Sequence, residues 1–251
     1  MKYTVAQLAG MIDHSLLHPT MTSADLEKGC AIAAKAKTAS VCIKPYAVEK
    51  AAEWLAGSGV LVCTVVGFPH GSNLTSIKVE ETIKACEEGA TEIDMVVNIG
   101  KVLGEEWDYV SAEIQAIQAA ATGRGAIIKV IFEIDYLQEK HKIKLCKISS
   151  DAGVAFVKTS TGYGYVKNAD GHFATKGATP DDVRLMRKYS SPNVGVKAAG
   201  GIRTLADMLY IIECGATRIG ATATETMLSE AAKVISGELQ LNDLQKGSGG
   251  Y

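Results

Sequence analysis

The chain has 251 residues, a formal net charge of −2 and a hydrophobic fraction of 47%. That length suits two modest domains or one α/β barrel, which commonly runs to roughly 250 residues, and it can bury a sizeable core. Basic and acidic residues are mixed throughout, which argues against a nucleic-acid surface, and no run approaches the ~20 apolar residues that span a bilayer.

Apolar runs of strand length recur along the chain: 11–17 (MIDHSLL), 40–46 (SVCIKPY), 60–69 (VLVCTVVGFP), 92–100 (EIDMVVNIG), 126–135 (AIIKVIFEID), 154–160 (VAFVKTS), 193–201 (NVGVKAAGG) and 217–222 (TRIGAT). Stretches with apolar residues at three- and four-residue steps lie between many of them, at 22–36, 72–90, 105–123, 179–189, 204–216 and 224–237. Such stretches read as amphipathic helices, several ending at or near glycine. Near-continuous Val/Ile strands alternating with helices imply parallel strands covered on their outer face. Eight such units in about 240 residues fit a closed (β/α)8 barrel better than an open sheet. No Pro/Ser-rich linker divides the chain, so one domain over 1–251 is expected, with a polar loop at 164–179 and a mobile tail at 243–251.

Side chains alternate between the two faces of a strand. One face carries Asp94, Val96 and Asn98 in the fourth strand, and Ile127, Lys129, Ile131, Glu133 and Asp135 in the fifth. The same face carries Phe156 and Lys158 in the sixth, and Gly195, Lys197 and Ala199 in the seventh. The opposite faces are apolar and belong under the helices, so the charged faces point into the barrel. Ionised groups there are costly unless paired. Charges converging near strand ends therefore mark a reaction centre, because barrel enzymes place their chemistry there.

Lys158 and Lys197 end consecutive strands, which run about 4.8 Å apart in a barrel. Two ammonium groups ~4 Å apart repel by about 4 kcal/mol at an effective dielectric of ~20. That repulsion lowers one amine from about 10.4 to near 7, where it can act as a Schiff-base nucleophile. Asp94 is the expected proton donor and acceptor, while Lys129 and Glu133 are expected to hold the charges in register. Gly200 and Gly201 after the seventh strand, and Gly220 at the end of the eighth, lead into helix N-termini. In a barrel this is a common phosphate-binding position.

Several segments together resemble the 2-deoxyribose-5-phosphate aldolase family, class I aldolases on a (β/α)8 barrel. They are IDHSLLHPTMT, VCIKPYAV, CTVVGFPHG, EIDMVVNIG, FVKTSTGY and VGVKAAGGIRT, in order over essentially the whole chain. The resemblance implies reversible cleavage of 2-deoxy-D-ribose 5-phosphate to D-glyceraldehyde 3-phosphate and acetaldehyde, without metal or other cofactor. It makes Lys158 the Schiff-base nucleophile, Lys197 the neighbour that lowers its pKa and assists proton transfer, and Asp94 the acid/base. It puts Gly162, Gly200, Gly201, Gly220 and Thr222 in the phosphate region, has Asp13, Cys42 and Thr161 line the pocket, and groups Lys129 with the substrate-binding residues. It also makes the terminal Tyr251 a mobile proton shuttle. The sequence departs from the family at Tyr163, where some members have lysine, and at Ala223, where many have serine. Ile134, Asp135 and His18 are further departures, and Asp135 is expected to add charge near the mouth.

Other readings are a different Schiff-base barrel, such as a transaldolase, and a non-catalytic barrel that binds sugar phosphate. Pressing two ammonium groups together argues against simple binding. The histidines are too dispersed for a metal site: His14 and His18 fall on a strand and the loop after it, and His70, His141 and His172 are isolated. Six scattered cysteines without a C-x-x-C pair read as reduced, mostly buried thiols of a cytoplasmic protein, and no secretory leader is recognisable at the N-terminus. Homo-oligomerisation through the helix layer is expected of such barrels, although no segment identifies an interface.

Overall fold

The computed structural model describes residues 2–167 and 170–247. Strands and helices alternate in chain order: α1 (Val5–Ala9), β1 (Ile12–Leu16), α2 (Ser23–Ala36), β2 (Ser40–Ile43), α3 (Val48–Trp54), β3 (Leu61–Val66), α4 (Thr75–Glu87), β4 (Glu92–Val96), α5 (Ile99–Leu103), α6 (Trp107–Thr122), β5 (Ile127–Ile131), α7 (Glu139–Asp151) and β6 (Phe156–Lys158). A two-stranded antiparallel hairpin, β7 (Val166–Lys167) and β8 (Phe173–Ala174), occupies the loop after β6. Then follow α8 (Pro180–Tyr189), β9 (Gly195–Ala199), α9 (Leu205–Glu213), β10 (Arg218–Ala221) and α10 (Thr224–Ser236).

All eight expected strands pair in parallel and close into a barrel in the order β1-β10-β9-β6-β5-β4-β3-β2. The apolar faces meet the helices as alternation requires: Ile93, Met95, Ile128, Val130, Val157, Val196 and Ile219 are fully buried in one core cluster. Burial of that branched, apolar layer is the main force holding helices to strands. Among the described residues no helix is long and apolar enough to cross a membrane.

The expected helices do not include α1, α3, α5 and α7; α1 and α5 have five residues each, too few to show a periodic stripe. Helix α3 is short and Ala-rich, burying Val48 and Ala51, while α7 buries His141 and Ser149 alongside Leu145, Cys146 and Ile148. Two polar residues on its inner face break the apolar stripe that periodicity detects. Every expected strand runs past its observed C-terminal end, by one residue at β1 and by four at β4 and β5. Asn98, placed on the interior face of β4, instead caps α5, its side chain accepting a hydrogen bond from the Lys101 N–H at 3.2 Å. Glu133 and Asp135, placed on the interior face of β5, lie beyond its end, where Glu133 adopts a left-handed backbone with φ of 56°.

Part of the tail expected to be mobile is docked. Leu244 packs against the core, and the Gly247 N–H donates to both carboxylate oxygens of Asp207 at 3.2 and 3.1 Å. Tyr251 lies outside the described residues.

Candidate active site

Register brings the charged residues of neighbouring strands side by side. Asp94 lies opposite Lys129 between β4 and β5, and Lys158 lies opposite Lys197 between β6 and β9. The end of β6 is tied to β9 through Thr159, whose hydroxyl donates to the Ala199 carbonyl and accepts from the Ala199 N–H, both at 3.0 Å. These bonds fix the height at which Lys158 emerges beside Lys197.

The two lysines do not face each other bare. Lys158 Nζ and Lys197 Nζ both donate to Asp94 Oδ2, at 2.7 and 2.6 Å. Lys197 also pairs with Asp13 at 2.5 Å, and Lys129 sits 2.6 Å from Glu92, 2.9 Å from Asp94 and 3.4 Å from Asp13. Arg218 completes the cluster, 2.6 Å from Asp13 and 3.3 Å from Glu92. Burial alone would push the carboxyls of Asp94 and Asp13 up, yet the surrounding cations hold both well below the usual carboxylate range. Burial alone would lower Lys197, yet Asp13 and Asp94 raise it above the ordinary lysine value.

This corrects the electrostatic expectation drawn from the lysine pair alone. The Asp94 carboxylate lies between the two lysines and offsets their repulsion, and Lys197 is held as an ammonium. Among the described residues the ion pairs distinguish the three lysines: Lys129 meets three carboxylates, Lys197 two, and Lys158 only Asp94. Lys158 is also the lysine that, with Lys197, reaches the pocket at the barrel mouth.

Other residues singled out from sequence fall at different depths. The pocket wall includes Asp13, Cys42, Thr161, Gly200, Gly220 and Thr222. Asp94 lies directly beneath, fully buried. Lys129 is not on the wall; it is buried in the ion cluster below, so its contacts are with protein carboxylates. Gly162 and Gly201 take left-handed backbones in the loops after β6 and β9, with φ of 89° and 79°. Helix α10 begins at Thr224 with Ala223 as its N-cap, which supplies no capping side chain.

Glu133 does not hold the lysines in register. Its carboxylate accepts hydrogen bonds from the backbone N–H and hydroxyl of Thr161, anchoring the loop after β6. Burial pushes Glu133 up to about 7 despite those bonds. Asp135 likewise anchors a loop, accepting from Thr175 Oγ1 and the Lys176 N–H at 2.8 Å each. The held segment brings Gly177 against Gly200, and Ala178 N–H donates to the Gly200 carbonyl at 3.1 Å.

The sequence reading overlooked Glu92, Arg218, Ser40 and Cys63 as site residues. Period two already placed Glu92 with Asp94 and Arg218 with Gly220. Ser40 donates to Asp13 at 2.7 Å, and Cys63 donates to Asp94 Oδ1 at 3.2 Å; as small residues in apolar strands they left no distinct signal. The histidines stay apart: His14 bonds Thr224 at 2.8 Å and burial lowers it to about 4, while His18 bonds Thr20. Among the described residues two groups could offer metal ligands, Cys42 with Cys63 and Asp94, and Asp13 with Cys63 and Glu92. Lys129, Lys158, Lys197 and Arg218 already neutralise their carboxylates, so the donor set does not fit a resident cation.

A closed parallel barrel ringed by helices, with a pocket at its mouth reached by Lys158 from the end of β6 and by Lys197, has the architecture of a (β/α)8-barrel enzyme. Residues 8–232 match the family described as "DeoC/LacD family aldolase", and the chain belongs to that family. It is 48% identical over 249 residues to a deoxyribose-phosphate aldolase of Rhodopirellula baltica, covering 99% of both chains. It is 47% identical to one from Caldanaerobacter subterraneus subsp. tengcongensis, covering 92% of this chain and 96% of that one. Among solved structures, the tetrameric deoxyribose phosphate aldolase from Aeropyrum pernix superposes with a TM-score of 0.81 at 31% identity, covering 94% of both chains.

Proposed function

We propose that this chain is a class I aldolase that reversibly cleaves 2-deoxy-D-ribose 5-phosphate to D-glyceraldehyde 3-phosphate and acetaldehyde through a Schiff base on Lys158. One observation carries the reading: a pocket-facing lysine shares a carboxylate oxygen with a second lysine that two carboxylates keep charged. The cluster contains four cations, Lys129, Lys158, Lys197 and Arg218, against three carboxylates, Asp13, Glu92 and Asp94. The charges balance when one lysine sheds its proton, and Lys158 is the one with the fewest carboxylate partners.

The neutral amine, its ammonium proton already lost to solvent, attacks the substrate's C1 aldehyde carbon, and Asp94 Oδ2 carries the N–H proton from the adduct nitrogen to the new C1 oxygen, giving the carbinolamine. Lys197, held as an ammonium, stands where it can donate to the carbinolamine hydroxyl as water leaves. The resulting iminium draws electrons from the C2–C3 bond as the C3 hydroxyl gives its proton to Asp94, releasing D-glyceraldehyde 3-phosphate. Protonation of the enamine at C2 and hydrolysis then return Lys158 and give acetaldehyde. A strongly acidic carboxyl is a poor base at rest; Asp94 becomes a better one once Lys158 no longer carries a charge beside it.

Gly200, Gly201, Gly220 and Thr222 suit the phosphate, because turns without side chains let backbone N–H groups and the uncapped start of α10 approach an anion. Metal independence, a cytoplasmic setting and a homo-oligomeric state belong to the same reading. The test is product analysis with 2-deoxy-D-ribose 5-phosphate before and after dialysis against a chelator. Equimolar acetaldehyde and D-glyceraldehyde 3-phosphate, unchanged by the chelator, are expected. No cleavage by the folded protein, or cleavage restored only by added metal, would overturn it.

A further inference from the structure

Two thiols beside the candidate nucleophile are left unused by this chemistry. Cys42 and Cys63 lie opposite each other in the parallel pairing of β2 with β3, and both join a small buried cluster with Val65. Neighbouring strands run about 4.8 Å apart, within the roughly 4.4–6.8 Å Cα separation that a disulfide accepts. The two sulfurs are 3.8 Å apart. Rotation about the Cα–Cβ bonds can shorten that distance toward the bonded value of about 2.05 Å.

Their surroundings differ in a way that orders the chemistry. Cys42 is on the pocket wall with Lys158 and Lys197, whereas Cys63 lies behind it, fully buried, with Lys129 Nζ at 3.1 Å. A small oxidant entering by the substrate's route meets Cys42 first and finds Cys63 directly behind. The hydrogen bond from Cys63 lowers the Cys42 thiol against its burial, while burial pushes Cys63 well up. Cys42 is therefore the sulfur that offers a thiolate.

We infer that Cys42 and Cys63 form a reversible oxidation site, closed to a disulfide by a hydroperoxide, that impairs the adjoining Asp94. The Cys42 thiolate attacks one peroxide oxygen and the O–O bond breaks, giving a sulfenic acid and hydroxide, which takes a proton to leave as water. The Cys63 sulfur then attacks the Cys42 sulfur, the S–O bond breaks, and the Cys63 proton goes with the departing hydroxide as a second water. Two thiols and one hydrogen peroxide thus give one disulfide and two waters, each sulfur losing one electron and each peroxide oxygen gaining one. As thiols, Cys63 donates to Asp94 Oδ1 at 3.2 Å and Cys42 approaches Oδ2 at 3.9 Å. A disulfide has no proton to donate, so Asp94 loses both contacts; this consequence rests on the catalytic role proposed for Asp94.

The test treats the reduced full chain with stoichiometric hydrogen peroxide, blocks remaining thiols by alkylation, and maps a non-reducing tryptic digest. Trypsin cuts after Lys50, between the two cysteines, so the bond appears as a cross-linked pair of the peptides 38–50 and 51–78. The linked pair should rise as the aldolase rate falls by about tenfold, and a dithiol reductant should reverse both. In Cys63→Ala no link should form, and Cys42 should pass to a sulfinic acid that the reductant does not restore. The wild-type map stands alone should that variant not fold. Cys42 left unmodified, or found only as sulfinic acid in the wild-type protein, would overturn the site. A complete cross-link with an unchanged rate would overturn the effect on Asp94. The mass readout needs no activity, so failure of the site is distinguishable from failure of the proposed reaction.

Discussion

Replacing Lys129 with methionine removes one cation from the buried cluster while nearly preserving its volume. Lys129 lies 2.6 Å from Glu92, 2.9 Å from Asp94 and 3.4 Å from Asp13. The carboxylates left behind are not equally exposed to the loss. Asp94 keeps Lys197 and its hydrogen bond from Lys158, and Asp13 keeps Lys197 and Arg218, whereas Glu92 keeps Arg218 at 3.3 Å. Removing one member of a buried ion set costs about 3–5 kcal/mol, and the two well-paired carboxylates put this case at the lower end, about 3 kcal/mol. Urea denaturation should show that loss without a change in slope, and the melting temperature should fall by roughly 6–12 °C. The pH dependence follows from the depressed Asp13 and Asp94. Their contribution is present above the unfolded carboxylate value near 3.9 and is lost as pH falls through the lower folded value. Without Lys129 those folded values are less depressed, so the gap between wild type and variant should be constant from pH 7 down past pH 4 and close only as pH falls below the variant's folded values. A variant within about 0.5 kcal/mol of wild type at pH 7, or a gap that already closes between pH 7 and about pH 4, would refute the account of the cluster as mutually compensated charges.

Four further outcomes are expected. Lys158→Leu should lower kcat/KM about 10⁴-fold or more while circular dichroism stays native, since Asp94 retains Lys129 and Lys197. Glu133→Gln should gain stability relative to wild type as pH rises. Burial raises the Glu133 folded value from 4.5 to about 7, so its contribution is present below the unfolded value and lost on the way up. The relative gain between those values should approach roughly 3 kcal/mol in pH-resolved denaturation. Ala223→Ser supplies the cap that α10 lacks and a hydroxyl beside the proposed phosphate turn; about 0.5–1 kcal/mol of added stability and a lower KM are expected. Gly200→Ala would place a Cβ 2.8 Å from the Gly177 Cα at a φ of 96°, so KM for the phosphorylated substrate should rise while activity on unphosphorylated 2-deoxyribose changes less.

How much of this was legible beforehand depends on which rule each residue obeys. Alternation along the strands was enough to bring Asp94, Lys129, Lys158 and Lys197 into one interior, because parallel strands covered by helices in a closed barrel leave few other places for those side chains. The same rule applied two residues earlier would have added Glu92, and applied to β10 it would have added Arg218. It failed at Asn98, Glu133 and Asp135, because the chain leaves the strand before reaching them. A left-handed residue such as Glu133 carries no composition signal and is held by Thr161, far away in sequence. The ionisation of Lys197 was also hidden: strand order shows which residues are neighbours, but not that the Asp94 carboxylate meets both amines or that Asp13 reaches Lys197 from the opposite side of the barrel's closure. Asp13 entered only through family resemblance.

The central claim is that Lys158, with one carboxylate partner, forms the imine while Lys197 stays charged beside it. Borohydride reduction in the presence of acetaldehyde, followed by intact-mass and peptide analysis, tests it most directly. A reduced two-carbon adduct on Lys158 is predicted, absent in Lys158→Leu and weaker in Lys197→Leu. An adduct on Lys197 of the wild-type protein, or none on the folded enzyme with either acetaldehyde or 2-deoxy-D-ribose 5-phosphate, would contradict it.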